Sequence, residues 1–130
     1  MRIFGYCGLV QTHPLRSRPD PADAALVAAT FKALSDPTRA RMVLALAEGE
    51  MAVGDLVLLT EAPQSTVSRH LANLRAARLV AARRHGSNVY YSVTSSHVVD
   101  MVLQAFSYAE HERLGLPDHA RSGSRPPSMH

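Results

Sequence analysis

The sequence predicts a mainly α-helical domain carrying one small β-hairpin, and three observations lead there. First, "DPADAALVAATFKALS" and "DPTRARMVLALAEGE" repeat one helix-start device. Each opens with an Asp that can accept from first-turn N–H groups, followed by a Pro whose fixed φ suits the first helical position. Second, "APQSTVSRHLANLRAARLV" carries its leucines at helical spacing. Third, "LVAARRHGSNVYYSV" sets two β-prone runs on either side of "HGS", where Gly86 can take φ > 0. The 130 residues suffice for one domain with a modest core.

Residues 1–19 mix Gly, Pro and Arg without periodicity and are expected to be a mobile arm. In the first helix, capped by Asp20 and opened by Pro21, residues Leu26, Val27, Phe31 and Leu34 form a stripe. Asp36 and Pro37 start the second helix and Gly49 ends it. "MAVGDLVLLTEA" reads as a short strand and a short helix. Pro63 and Gln64 open the next helix, which runs to about Ala77. In the hairpin Val89, Tyr91 and Val93 share a face, with Arg83, Arg84 and His85 near the tip. Ser95 or Ser96 caps a last helix of roughly residues 97–113, with Val98, Met101, Val102, Ala105 and Phe106 apolar. Leu26, Val27 and Phe31 of the first helix, with Val98, Met101, Val102 and Ala105 of the last, leave apolar surface expected to form a two-fold dimer interface. "LGLP" at 114–117 ends it, and residues 115–130 are expected to be a flexible tail. The folded domain is therefore placed at 20–114.

The net charge is only +3, but its distribution is uneven. From Gln64 to Thr94 there are five arginines (Arg69, Arg75, Arg78, Arg83, Arg84) and no Asp or Glu. Such a block suggests a face for a polyanion. Stepping the Gln64–Ala77 helix at about 100° per residue puts Val67, Leu71 and Leu74 on one buried side. Ser65, Arg69, Ala72 and Ala76 fall opposite, flanked by Thr66, Ser68 and Asn73. Short donors and acceptors, one Arg and small alanines let a helix lie deep in a DNA groove. The short helix before it completes a helix-turn-helix, and the hairpin behind it is a wing. His70 sits at the edge of the apolar stripe and reads as a packed histidine rather than a base contact.

A single Cys7 excludes a disulfide framework and a four-thiolate zinc site. No apolar run reaches membrane-spanning length and no signal peptide is read, which fits a cytoplasmic protein without a membrane partner.

The order of elements, with "LSDPTRARMVLAL", "QSTVSRHLANLRAARLV" and "RRHGSNVYYSV", resembles the ArsR/SmtB family of winged-helix metalloregulators over about residues 22–114. The resemblance implies a homodimer, built on the first and last helices, that binds a near-palindromic double-stranded operator. It assigns Gln64, Ser65, Thr66, Ser68 and Arg69 to the DNA face, beside Arg83, Arg84 and His85 of the wing. It also implies a regulator, most often a repressor, whose DNA affinity a divalent metal lowers. Members sensing soft metals carry Cys-x-Cys before the third helix; the matching positions here are Ala52 and Gly54, so that site is missing. Zinc-type members carry ligands in the last helix at positions matched here by Ser95, His97, Tyr108 and His111. "AEHERLGLPDH" resembles instead the nickel/cobalt-sensing subgroup, which carries over Glu110, His111 and His119 alongside His97. Nickel or cobalt is the expected ion, with zinc a further candidate.

Spacing constrains that site independently. His97 and His111 share a helix face but stand about 21 Å apart along its axis. One chain cannot bring them to one ion, whereas two antiparallel copies of the helix can. Glu110 points away on an ideal helix, so its ligation requires fraying. Asp100, one turn from His97, is a candidate extra ligand or supporting acceptor; Cys7 and His13 read as residues of the mobile arm rather than as ligands reaching in from it. Three other readings compete. One is a winged-helix regulator with a changed effector, kept open by Ser95 and Tyr108. Another is a protein-interaction module, against which the wing arginines argue. The third is a small metalloenzyme using His97, Glu110 and His111, disfavoured because no H-E-x-x-H, nucleophile constellation or Gly-rich loop is present.

Overall fold

The computed structural model describes Arg18 and residues 20–117. The expected arm and most of the expected tail, with Cys7, His13 and His119, lie outside the described residues. The elements run α1 (Pro21–Ala33), α2 (Pro37–Ala47), β1 (Met51–Ala52), α3 (Val53–Thr60), α4 (Gln64–Ala76), β2 (Val80–His85), β3 (Asn88–Val93) and α5 (Ser96–Leu114).

Both Asp-Pro starts form as expected. The Asp20 carboxylate accepts from the Ala22 N–H at 2.7 Å, and Asp36 accepts from the N–H groups of Thr38 and Arg39 at 2.8 and 3.2 Å. Their partners would otherwise be orphaned donors of the first turn. The strands form an antiparallel sheet of order β1-β3-β2, with Met51 opposite Tyr91 and Arg83 opposite Tyr90. Gly86 turns the hairpin at φ 65°, a backbone conformation that costs other residues.

The core joins Met42, Val43 and Leu46 of α2, Leu56 of α3, Val67, Leu71 and Leu74 of α4, Leu79 and Val80, and Val98 and Val102 of α5. This corrects the expected dimerisation stripe. Val98 and Val102 are only 9% and 3% exposed within one protomer, because α5 packs them against α2. The outward positions of α5 include His97, Ala105 and Tyr108. By contrast α1 buries no residue, and Leu26, Val27 and Phe31 stand 60%, 53% and 56% exposed. A 13-residue helix with no buried face is marginal by itself. Its apolar stripe calls for a partner surface.

Two turns position the functional elements. After α4, Arg78 adopts a left-handed conformation (φ 62°). There its N–H donates to Arg75 O and the Leu79 N–H donates to Leu74 O at 3.0 Å, so the three residues 77–79 that lead into the wing are held by hydrogen bonds back to α4. Thr94 closes the same corner, its hydroxyl donating to Arg78 O at 2.8 Å and its N–H to Leu79 O at 3.1 Å. After α5, Gly115 (φ 70°) gives a Schellman turn in which the Leu116 N–H donates to His111 O at 2.9 Å.

Candidate nucleic-acid interface

The α3–α4 unit is built by a three-residue connection, Glu61–Pro63. Glu61 is left-handed (φ 57°), and its N–H donates to Val57 O at 2.8 Å. Val67, His70, Leu71 and Leu74 bury the inner side of α4, while Gln64, Ser65, Ser68, Arg69, Ala72, Asn73, Arg75 and Ala76 are exposed and Thr66 is half-buried. The DNA-facing candidates of α4 therefore lie outward, with Thr66 on the margin. Pro63 precedes α4 and no side chain caps it, which leaves the positive end of a helix dipole at Gln64–Thr66. Such an end suits a phosphate.

His70 is a buried histidine, 8% exposed, and it is not a base contact. Arg39 holds it: Nη1 lies 3.1 Å from His70 Nδ1. A guanidinium has only N–H donors, so Nδ1 accepts and the ring N–H belongs on Nε2, which lies 4.0 Å from Asp36 Oδ1. The same guanidinium donates through Nε to Ala33 O at 2.6 Å. One arginine thus ties the end of α1 to the middle of α4. Asp36 is drawn below the usual carboxylate range, first by the Arg39 N–H it caps, then by the Thr38 N–H and the neighbouring His70 and Arg39 side chains.

The wing arginines differ from one another. Arg84 and His85 are exposed near the tip, and among the described residues Arg84 has no carboxylate partner. Arg83 instead forms a fork on Glu50, with Nε and Nη2 at 2.9 and 2.8 Å from the two carboxylate oxygens, and lies 5.3 Å from the Tyr90 ring centroid. This pairing was missed at the level of sequence because the partners are 33 residues apart and meet only through the sheet register.

The metal candidates lie on α5. His97 is exposed in its first turn, Glu110 is exposed and His111 is half-buried near its end. Ser95 caps the helix, accepting from the His97 N–H at 3.0 Å. Asp100 Oδ1 is buried without a hydrogen-bond partner among the described residues. His111 Nδ1 lies 2.9 Å from Pro117 O, so that ring nitrogen is the donor there. Among the described residues of one chain, no three His, Cys, Asp or Glu side chains gather as a metal group. Ala52 and Gly54, without thiolates, stand at the start of α3, where Asp55 accepts from the Ala52 N–H at 3.1 Å.

Comparison with known proteins decides what this arrangement belongs to. Residues 36–82 match the family model described as bacterial regulatory protein, arsR family. The HTH-type transcriptional regulator KmtR of Mycobacterium tuberculosis is 40% identical over 109 residues, covering 82% of this chain and 84% of that protein. The chain belongs to the arsR family. Within that family, it is also 38% identical over 91 residues to the cadmium resistance transcriptional regulatory protein CadC homolog of Staphylococcus aureus, covering 69% of this chain and 73% of that one. Among solved structures, a homodimeric winged helix-turn-helix DNA-binding domain from Mycobacterium bovis superposes with a TM-score of 0.67 at 28% identity, covering 82% of this chain and 100% of that one. As an arsR-family protein with a winged helix, the chain is a transcriptional regulator rather than an enzyme. No helix among its described residues is long and apolar enough to cross a membrane.

Proposed function

We propose that this protein is a metal-responsive transcriptional repressor that binds a near-palindromic operator as a homodimer in the cytoplasm. The observation that carries the reading is the acid-free outer face of α4, joined through Arg78 directly to a wing presenting Arg84. Gln64, Ser65, Thr66, Ser68 and Arg69 face the major groove, and Arg83, Arg84 and His85 the adjacent backbone. The unburied apolar stripe of α1 supplies the dimer surface, as an isologous contact between two copies.

The donor chemistry of α5 fits a divalent ion of the nickel, cobalt or zinc type. His111 donates through Nδ1 to Pro117 O, a backbone contact of the kind that orients a ligating imidazole, and the orphaned Asp100 Oδ1 is a further acceptor on the same helix. His97 and His111 must come from different protomers, because their positions on one helix are too far apart. Glu110 and His119 complete the set; the Schellman turn brings Pro117 back against His111, and His119 follows two residues later in the sequence. A bound ion supplies a cross-link between the two last helices. It changes DNA affinity only as far as the two dimer conformations hold it unequally. The use of Ser95 as a helix cap, where zinc-type members place a ligand, favours one second reading: a regulator of the same build answering to another effector.

A mixing experiment tests the site. Homodimers of His97→Ala and of His111→Ala are each expected to lose both metal sites. A heterodimer of the two should recover one, because both deletions then fall in the same cross-chain site. Metal should weaken operator binding of the wild type by roughly 5- to 150-fold. A heterodimer that binds no metal, with wild-type DNA binding intact, would leave the second reading standing.

A further inference from the structure

The sheet brings to the wing the one thing its own stretch of sequence lacks, a carboxylate. Side chains alternate along each strand. With Ala52 opposite Tyr90 and Tyr90 opposite Arg83, these three residues share one face, and Glu50, just before β1, meets Arg83 there. Arg84 belongs to the other face, opposite Val89. Across that first face Arg83 lies over the Tyr90 ring and reaches back to Glu50 with two hydrogen bonds, at 2.9 and 2.8 Å. The two-pronged geometry is the one by which a guanidinium takes a phosphate. Both side chains remain open to solvent, 53% exposed for Arg83 and 39% for Glu50. A phosphate can therefore approach the guanidinium without unpacking the wing.

We infer that Glu50 is an intramolecular stand-in for a DNA phosphate: it competes with the duplex for Arg83 and lowers the wing's affinity for DNA of any sequence. The inference rests on the DNA-binding reading and needs neither the metal nor the operator. The wing then has two unlike arginines. Arg84 meets the backbone unopposed, and Arg83 does so by exchanging one anion for another. The Arg83 hydrogen bonds hold the Glu50 carboxyl below its usual range, so the competitor stays charged at neutral pH. An ion pair this exposed is weak, which makes the exchange reversible and the competition partial.

Four variants decide it, read by fluorescence anisotropy on a duplex of arbitrary sequence over a salt series. Glu50→Gln is expected to bind severalfold more tightly at low salt, with log K against log[salt] steeper by up to about 0.9 per protomer, one added phosphate contact. Arg83→Gln should bind somewhat more weakly than wild type. In the Arg83→Gln background, adding Glu50→Gln should give no further gain, because its effect passes through that guanidinium. Glu48→Gln, which removes an exposed charge two residues away, should not reproduce the gain. Unchanged or weaker binding by Glu50→Gln would overturn the inference and make the pair a simple brace for the wing. So would a gain that persists without Arg83, or one that Glu48→Gln matches. Failure of the wild type to bind duplex even at low salt would instead remove the DNA-binding reading, and this inference with it.

Discussion

Replacing His70 tests how the recognition helix is held. In His70→Ala two losses combine. The hydrogen bond from the Arg39 guanidinium at 3.1 Å disappears, and a bond involving a charged group contributes about 1.5–3 kcal/mol. The ring is 8% exposed and neighbours Leu71 and Leu74, so its removal also leaves space that α4 fills only in part. A destabilisation of about 2–4 kcal/mol follows, taken below the plain sum because Arg39 keeps its bond to Ala33 O. For a domain of about 100 residues each kcal/mol moves Tm by roughly 4–8 °C, so a fall of at least about 8 °C is expected. His70→Asn places a carbonyl oxygen at the position of Nδ1 and should recover the hydrogen-bond part of the loss. The assay is urea unfolding followed by circular dichroism at two protein concentrations, which separates domain stability from dimer association. A His70→Ala protein within about 0.5 kcal/mol of wild type would refute the argument that Arg39 and His70 fasten α4, since changes that small are ordinary for surface sites.

Asp36 should give stability a dependence on acid pH. Its folded carboxyl titrates below the ordinary value, so its contribution is complete above about pH 5, declines as the pH falls through the depressed folded value, and is absent below it. Asp36→Asn keeps the cap acceptor but not the charge, so its stability deficit at neutral pH should close in acid; a deficit independent of pH in urea titrations would contradict this. Glutamates at Val27 and Phe31 should convert the dimer to a folded monomer by sedimentation, because both side chains lie in the unburied stripe of α1. Persistence of the dimer in Val27→Glu/Phe31→Glu would place the interface elsewhere.

What was legible in the sequence was local. Asp20 and Asp36 cap helices because capping needs only an oxygen and two or three following N–H groups, and Gly86 marks its turn because φ alone decides it. Helical spacing likewise picked out Val67, Leu71 and Leu74 as buried. The rest depends on partners distant in the chain. His70 meets Arg39 across 31 residues, and Arg83 meets Glu50 across 33, through a register that two-residue strand β1 sets. The expectation of a dimer seam takes in Val98 and Val102 because they are apolar surface that a lone helix cannot bury. Periodicity cannot say which side its own protomer will cover. The family resemblance is what picked out Glu110 and His119, while the orphaned oxygen of Asp100 came into view only with the packing.

The corner at Arg78 has a consequence for the proposed regulation. Left-handed backbone at a residue other than glycine, hydrogen-bonded on both sides and closed again by Thr94, makes a tightly fastened corner between α4 and β2. The helix and hairpin proposed to meet the groove and the backbone are therefore held like the two jaws of a caliper. On that reading a ligand bound at α5 would carry both jaws together and adjust the distance between two calipers on opposite protomers, so that an operator would be sensed by its span as well as by its bases.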